Sequence, residues 1–450
     1  MRLIRHIIFV EVDEDVTLMI NSLNGLVDTL RGHALKVISK WKNCEEIIPT
    51  NDIEASLYKT LKARGYMMDS CEEENEAKDK ILHALKRASS KRKESKLTFL
   101  MTYNCNFRCT YCFEAPVFNN INGEMSDKKR VITKNMIDSA FDLIGDNLQS
   151  ICLFGGEPLL PETKNALTYI TSKACNVHYS IVTNGYYIVE FFDILSDMPI
   201  SQITVTLDGE EKTHNERRCL PNGEPTFDKI MTGIALCLKQ GFPVCIRMNI
   251  DDNNVLDSSN LKLRILSDFS NYKDLLSFDI TPMFGIPYEV RNKLALDLYA
   301  AEIRRTIDEF GSKNKMLNQF TPLLNSISVG AKSQPVYSFC YAHEDGLIVD
   351  PYGMIYPCMR AVGVRNLAIG KYYPHVEYYH NSLRHRNIET ILECKECIYS
   401  LLCGGGCPVA FCDHQDIFKP ECFSVKNEIH NILPMFYREK ENAQSIINTD

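Results

Sequence analysis

Six short apolar segments recur along the middle of the chain, and most are separated by stretches with helical spacing. The apolar segments lie between residues 97 and 283 and read LTFLMTY, SICLFG, YSIVT, ITVTL, VCIRMNI and LSFDITP. The clearest helical stretches are NMIDSAFDLIG, NALTYITSKA and FDKIMTGIALCLKQ. Apolar runs of this length that alternate with helices indicate buried strands in parallel βαβ units. The pattern predicts an α/β fold, a partial (β/α)6 TIM-like barrel whose functional residues gather at the carboxyl ends of the strands.

The first part of the chain follows a different pattern. HIIFVEV and DVTLMINS alternate like paired strands, and HALKVISKWKN and NDIEASLYKTLKARGYMM then repeat apolar residues at helical spacing. The last of these begins at an Asn/Asp cap. A small sheet followed by helices predicts a winged-helix domain over residues 1–71. Residues 72–96 are almost all charged and predict a helical or solvated linker, or a surface helix.

The last part of the chain changes character again. Up to residue 333 the pattern stays helical, with LALDLYAAEIRRTIDEF the clearest case, but from Cys340 cysteine, glycine and proline dominate with little periodicity. Such a region is held together by metal more than by an apolar core. We therefore expect the barrel with its connecting helices over 97–333, a cysteine-rich domain over 334–430 and a tail over 431–450.

Composition narrows the possible functions. The net charge of −8 gives no electrostatic reason to expect a nucleic-acid partner. No apolar run approaches the roughly 20 residues that span a bilayer, and the amino terminus lacks a signal-peptide cleavage pattern. We therefore expect a cytoplasmic protein with no membrane partner. Eighteen cysteines in a reducing compartment favour metal or redox chemistry over disulfides.

Three cysteines follow the first barrel strand with the spacing C-x3-C-x2-C. They are Cys105, Cys109 and Cys112. Three thiolates on one loop can hold three irons of a [4Fe–4S] cube, which leaves the fourth iron open to a small molecule. The same spacing can also hold zinc with a distant fourth ligand.

This loop resembles the cluster loop of the radical S-adenosylmethionine (SAM) superfamily, with Tyr111 as the aromatic residue before the last cysteine. A second resemblance follows the second strand, where the superfamily's GGEP motif receives the amino group of SAM. Here that motif is Gly155, Gly156, Glu157 and Pro158. A carboxylate suits an ammonium group, and glycines let the backbone approach a ligand.

Further residues at strand ends are similar to those that line the SAM pocket in this superfamily. They are Thr183, Asp208, Arg217, Arg218 and Asn249. The resemblance implies that one of the two arginines contacts the SAM carboxylate, and it leaves open which one. For Thr183 and Asn249 the alternative is an ordinary turn residue.

Seven cysteines of the last region match the order and spacing of SPASM domains, C-x(9–15)-G-x4-C followed by C-x2-C-x5-C-x3-C and a final cysteine. The resemblance implies two auxiliary [4Fe–4S] clusters, and so three in all. One would be held by Cys394, Cys397, Cys403 and Cys422. The other would be held by Cys340, Cys358 and Cys407. Relatives place a fourth ligand of the latter near position 334, which is glutamine here, so Cys412 or a substrate thiolate would complete it. The four central cysteines alone also fit a zinc ribbon.

The resemblance implies reductive cleavage of SAM to a 5′-deoxyadenosyl radical, with electrons from a flavodoxin or ferredoxin. Residues 1–71 resemble the PqqD-like leader-recognition domain of peptide maturases, which implies a precursor peptide as partner. We therefore expect a maturase of the sactipeptide or ranthipeptide type that forms a cysteine thioether.

Other functions remain open. Carbon–carbon or carbon–oxygen cyclisation of a peptide, quinone-cofactor biosynthesis and formylglycine formation in sulfatases all occur among similar enzymes. Sulfatase maturases carry an acidic residue directly after the cysteine matching Cys358, and Met359 stands there in this chain. A non-enzymatic, metal-binding scaffold or regulator would need neither the three-cysteine loop nor the GGEP segment.

Overall fold

The computed structural model describes most of the chain. It covers residues 1–91, 95–112, 114, 131–251, 253–282, 332–340, 347–380, 383–411, 416–422 and most of 425–441. The helix predicted over LALDLYAAEIRRTIDEF and the candidate ligand Cys412 lie outside these residues. Within them, no helix has the length and apolar character needed to cross a bilayer.

The amino-terminal region forms a small sheet and two helices, as its pattern predicts. Its strands are β1 (Arg2–Leu3), β2 (Ile7–Glu11), β3 (Val16–Asn21), β4 (Val27–Arg31) and β5 (Met67–Met68). Strands β2, β3 and β4 form an antiparallel meander, while β5 returns to pair with β1. Helices α1 (Gly32–Trp41) and α2 (Asp52–Ala63) follow β4, and the side chain of Asn51 caps α2 by accepting from the Glu54 amide. The winged-helix assignment stays a prediction.

The charged stretch after this region is a helix, α3 (Cys71–Lys91). One side of it packs on the amino-terminal core through Ile81, Leu82 and Leu85. Glu74 in its first turn is fully buried and accepts hydrogen bonds from the side chains of Arg2 and His6. This helix is therefore attached to the amino-terminal region, and most of its charged residues lie on the outer side, with Glu74 and Lys78 as buried exceptions.

The six predicted barrel strands are all present. They are β6 (Lys96–Leu100), β7 (Ser150–Phe154), β8 (His178–Thr183), β9 (Ile200–Thr206), β10 (Val244–Ile250) and β11 (Leu276–Pro282). They pair in parallel in chain order. The helices between them are α4 (Lys134–Ile144), α5 (Lys164–Lys173), α6 (Ile188–Leu195), α7 (Glu211–Arg217), α8 (Phe227–Lys239) and α9 (Val255–Asp268). The carboxyl ends of the strands therefore share one edge, where the candidate residues lie.

The same sheet continues beyond the barrel. Strand β12 (Leu347–Val349) pairs in parallel with β6, and β13 (Met354–Tyr356), β14 (Gly370–Lys371) and β15 (Glu377–Tyr378) extend the edge in antiparallel fashion. Cys358 lies two residues after the end of β13. The extension therefore places one candidate cluster ligand on the same sheet as β6, the strand that precedes the three-cysteine loop.

The amino-terminal sheet contacts the cysteine-rich region on both of its faces. Alternate residues of β2 and β3, such as Val10 and Leu18, pack against Cys403 and against Ile429 in the helical segment Glu428–Ile432. The opposite face shares a core with Cys394, Ile391 and Leu401. Short helices α10 (Ser400–Cys403) and α11 (Pro408–Phe411) complete this region. The first and last parts of the chain are therefore packed together.

Candidate functional site

The three-cysteine loop begins where β6 ends and is held by the loop that follows β7. The amide of Gly156 donates to the carbonyl of Thr102 at 2.9 Å, and the amide of Glu157 donates to the carbonyl of Asn104 at 2.8 Å. These backbone bonds fix the start of the three-cysteine loop against the GGEP segment. The two motifs that the sequence singled out are thus neighbours.

The two glycines of the GGEP segment are required by this contact. A Cβ at Gly155 would stand 2.5 Å from the carbonyl oxygen of Thr102, and one at Gly156 would stand 2.2 Å from that of Asn104. Both distances are far inside van der Waals contact, so any larger residue would push the two loops apart. The close approach of the three-cysteine loop therefore requires glycine at both positions.

Glu157 is fully buried and joins the loop after β7 to the end of β8. Its carboxylate accepts from the hydroxyl of Thr183 at 2.6 Å, from the amide of Asn184 at 2.7 Å and from the amide of Leu159 at 2.9 Å. Burial raises the pKa of Glu157 to about 7, and these hydrogen bonds limit the rise. A carboxylate offers about four acceptor positions, so Glu157 retains room for one more donor, such as an ammonium group.

Tyr111, inside the three-cysteine loop, is the centre of a second network. Its hydroxyl donates to the carboxylate of Asp208 and accepts from Nη1 of Arg218 at 2.5 Å. Asn249 donates to the same hydroxyl at 3.3 Å, and its amide donates to Asp208 at 2.9 Å. Tyr111, Asp208, Arg218 and Asn249 therefore meet at the carboxyl ends of β9 and β10, as the sequence predicts.

The two candidate arginines differ in their surroundings. Arg217 forms an ion pair with Asp251 at 2.8 Å and lies 3.7 Å from the carboxylate of Asp208. Arg218 is 7% exposed, and its charge lowers the pKa of the Cys109 thiol, although burial, the larger effect, raises it. Nε of Arg218 is buried and has no hydrogen-bond partner among the described residues. A buried donor beside the cluster cysteines fits an anionic ligand such as the carboxylate of SAM.

His214 is a supporting residue that the sequence did not reveal. It is fully buried, its Nδ1 accepts from the amide of Asp208 at 3.4 Å, and its Nε2 lies 3.1 Å from the hydroxyl of Thr226. Burial, and then the charge of Arg218, hold the pKa of His214 well below its usual value. The neutral ring can accept from the backbone amide of Asp208, so it helps to hold the backbone of this residue in place. A lone histidine on a short helix carries no motif that would have identified it.

Several cysteines of the last region lie near one another. Burial raises the pKa of Cys394 to about 11, and the neighbouring Cys397 and Cys422 raise it further. Burial likewise raises the pKa of Cys403 to about 12, with smaller contributions from Glu421, Cys394 and Cys397. Four thiols therefore share one neighbourhood.

The other predicted set is seen in part. Burial raises the pKa of Cys358 to about 11, and the next contribution comes from Cys407. Cys340 is half-buried in the segment leading into this region, and Gln334, in the place of a fourth ligand, is exposed. Among the described residues, no three His, Cys, Asp or Glu side chains gather closely enough to hold a single metal ion. Thiolates of a cubane bind different irons, and a set made only of thiols suits such a cluster.

The comparisons with known proteins agree with this geometry. Residues 99–254 match the model of the radical SAM superfamily. These residues are therefore a radical SAM domain, the domain of an enzyme superfamily. The cysteine-type anaerobic sulfatase-maturating enzyme of Clostridium novyi is 30% identical over 142 residues, which cover 30% of this chain and 37% of that protein. The chain thus spans little more than a third of that relative.

Two solved structures share the fold over a longer range. Native anSMEcpe with bound AdoMet and the Cp18Cys peptide superposes with a TM-score of 0.55 at 18% identity, over 78% of this chain and 99% of that one. SuiB of Streptococcus suis bound to the precursor peptide SuiA gives a TM-score of 0.53 at 14% identity, over 94% and 99%. At such identities the likeness establishes the fold.

Proposed function

We propose that the protein is a radical SAM enzyme that installs a cross-link, a cysteine thioether, in a ribosomally made precursor peptide. The observation that carries this proposal is the meeting of the three-cysteine loop with the GGEP segment and with the Tyr111 network at one edge of the sheet. Such an enzyme needs cysteine ligands for a cluster and polar groups that bind the ammonium and carboxylate of SAM. Candidates for both lie at this edge.

In this proposal Cys105, Cys109 and Cys112 hold the first [4Fe–4S] cluster. When bound and reduced, the cluster and SAM supply a 5′-deoxyadenosyl radical. The remaining acceptor position of Glu157 receives the ammonium of SAM, and the buried Nε of Arg218 receives its carboxylate. Arg217 keeps Asp251 and Asp208 in place instead. Gly155 and Gly156 allow the GGEP segment to pack against the three-cysteine loop.

Two auxiliary clusters complete the proposal. Their ligands are the two cysteine sets of the last region, with Cys412 or a substrate thiolate as the missing ligand of the set that contains Cys358. Sheet continuity from β6 to β12 and β13 supports this arrangement, because it fixes Cys358 relative to the three-cysteine loop. An external flavodoxin or ferredoxin supplies the electrons.

The leader of the precursor peptide would bind along β4. Among the described residues this strand pairs only with β3, which leaves its other edge without a strand partner in that part of the chain. Val16 pairs with Arg31 and Met19 with Asp28, and the amide of Asn21 donates to Leu26. Alternation along an antiparallel ladder then turns the backbone groups of Thr29 outward. Strand addition of this kind supplies affinity through main-chain hydrogen bonds.

Formylglycine formation is the second candidate, because the chain is similar to a sulfatase-maturating enzyme over part of its length. Met359 after Cys358 supports the peptide cross-link over formylglycine formation. The side chain of methionine cannot act as the carboxylate that sulfatase maturases have at this position. Both candidates act on a peptide, and two neighbouring structures hold one: anSMEcpe is bound to the Cp18Cys peptide and SuiB to the precursor peptide SuiA.

The test is co-expression with the short open reading frames beside the gene, followed by mass spectrometry of the peptides. A thioether removes two hydrogen atoms per cross-link and protects that cysteine from alkylation. Thr29→Pro removes the outward amide and should abolish leader binding, whereas Thr29→Val keeps the amide and should preserve it. Unmodified peptides together with oxidation of a sulfatase-derived peptide would support the second candidate.

A further inference from the structure

Arg386 is a fully buried arginine that lies between Cys358 and Cys394 and belongs to no motif. Its Nε donates to the carbonyl of Ile417 at 2.7 Å, and its Nη1 donates to that of Gly406 at 2.8 Å. Its Nη2 donates to the carbonyls of Gly405 at 2.7 Å and Lys419 at 2.9 Å. One guanidinium group thus binds four backbone carbonyls from two separate segments.

Each of these segments borders candidate cluster cysteines. Gly405 and Gly406 lie between Cys403 and Cys407, and Lys419 lies shortly before Cys422. The amide of Glu421, next to Cys422, donates to the carbonyl of Gly405 at 3.0 Å, so this oxygen receives both Glu421 and Arg386. The guanidinium therefore connects the loop after Cys403 to the loop before Cys422.

The glycine loop has the conformation that this contact requires. Gly404, Gly405 and Gly406 have φ values of +64°, +86° and +73°, which larger residues rarely adopt. A Cβ at Gly406 would also stand 2.1 Å from the carbonyl oxygen of Glu421. Successive left-handed residues direct the carbonyls of Gly405 and Gly406 to the two terminal nitrogens of one guanidinium group. The conformation of the glycine loop therefore allows two of its carbonyls to bind Arg386.

The charge of Arg386 is placed beside thiols. The terminal nitrogens of Arg386 bind the carbonyls of Gly405 and Gly406, which stand between Cys403 and Cys407. Burying a charge is costly unless opposite charge lies near. A cluster with four thiolate ligands is anionic and supplies that charge.

We propose that Arg386 is a positioning residue for the auxiliary cluster held by Cys394, Cys397, Cys403 and Cys422. It aligns the two ligand-bearing loops through their carbonyls, and its charge stabilises the reduced, more negative state of the cluster and so raises its reduction potential. This inference rests on the proposed function, since it requires the four cysteines to hold a cluster.

The test compares full-length Arg386→Lys and Arg386→Gln with the wild type after anaerobic reconstitution. Iron per chain, loss of iron to a chelator and the potential of each cluster in an EPR-monitored redox titration are measured. Arg386→Gln should lose about four of roughly twelve irons, the content of one cube out of three, or retain the cluster at a lower potential. Arg386→Lys keeps the charge but not the fork, so it should keep the potential and lose iron about 10- to 100-fold faster.

Arg384→Gln is the matched control, because it removes a charge two residues away whose group lies over the ring of Tyr378. It should behave like the wild type. If Arg386→Gln keeps full iron and an unchanged potential, the inference is overturned. It is also overturned if both Arg386 variants lose all their iron, which would mark a general structural role. A wild type that binds no iron would instead overturn the proposed function.

Discussion

The hydroxyl of Thr183, at the end of β8, donates a 2.6 Å hydrogen bond to the buried carboxylate of Glu157, after β7. The neighbouring Asn184 donates its amide to the same carboxylate and its side chain to Asn106 in the three-cysteine loop, at 2.7 and 2.8 Å. The ends of β7 and β8 are thereby joined through one carboxylate, and the side chain of Asn184 links them to the loop after β6. A change at Thr183 should therefore affect both the proposed SAM site at Glu157 and the three-cysteine loop.

Thr183→Val should weaken SAM binding and destabilise the protein. It removes one donor from a buried carboxylate, which costs about 1–3 kcal/mol. Thr183→Ser keeps the hydroxyl and serves as the control. Equilibrium dialysis with SAM and thermal unfolding check the result, and equal behaviour of the two variants would show that the hydroxyl has no such role.

Arg218→Lys should raise the Kd for SAM by at least about tenfold, equivalent to about 1.4 kcal/mol. An ammonium group cannot reproduce the fork that reaches Tyr111 while presenting a second donor to a carboxylate. Arg217→Lys is the matched control and should raise the Kd less, because Arg217 is engaged with Asp251. A larger effect from Arg217→Lys, measured by the same dialysis, would reverse the assignment of the two arginines.

Glu74→Gln should destabilise the amino-terminal region at pH 7 by about 3 kcal/mol. Burial opposes ionisation of Glu74, but hydrogen bonds led by those of His6, Arg5 and Arg2 lower its pKa from 4.5 to about 2, and each unit corresponds to about 1.4 kcal/mol. Trp41, the single tryptophan, is buried in the same core and reports unfolding in urea.

The pH dependence of this effect has a definite sign. Because the folded protein lowers the pKa of Glu74, its contribution to stability is complete above about pH 4.5 and is lost as the pH falls toward 2. The gap between wild type and Glu74→Gln should therefore shrink over that window. Glu76→Gln, which removes an exposed partner of Lys80, should change stability by less than about 0.5 kcal/mol. A gap that is constant with pH would contradict the ionised state of Glu74.

Tyr103→Phe should loosen the join between the barrel and its extension. The hydroxyl of Tyr103, after β6, donates at 2.8 Å to Asp350, which follows β12 and is fully buried. Losing this bond should cost about 1–3 kcal/mol and speed hydrogen exchange of the β12 amides. Tyr169→Phe removes a comparable bond to Asp138 near the surface and should leave exchange in β12 unchanged. Unaltered exchange in both variants would show that Tyr103 does not hold the two parts together.

The barrel could be predicted because its strands are buried on both faces. Segments such as SICLF and ITVTL are apolar throughout, and the functional side chains follow them at fixed positions in chain order. The two cysteine sets of the last region stay a prediction from the resemblance. Residues at the end of a strand or within a motif of fixed spacing can therefore be predicted from the sequence.

Other features leave no such pattern. Strands β12 to β15 are two or three residues long, too short to show periodicity. Arg386 and His214 act as single buried residues whose partners are backbone atoms or distant side chains, and only the folded chain brings those together. The sequence also did not reveal that Gly155 and Gly156 pack against the backbone of another loop.

The most direct test of the account is anaerobic reconstitution, with iron counted and 5′-deoxyadenosine measured after reduction in the presence of SAM. The account predicts about twelve irons per chain and formation of 5′-deoxyadenosine. Replacement of Cys105, Cys109 and Cys112 by alanine should leave about eight irons and no 5′-deoxyadenosine, whereas Cys175→Ala, at an exposed position, should change neither. Intact SAM with few irons and bound zinc in the wild type would contradict the central claim and indicate a zinc-binding scaffold.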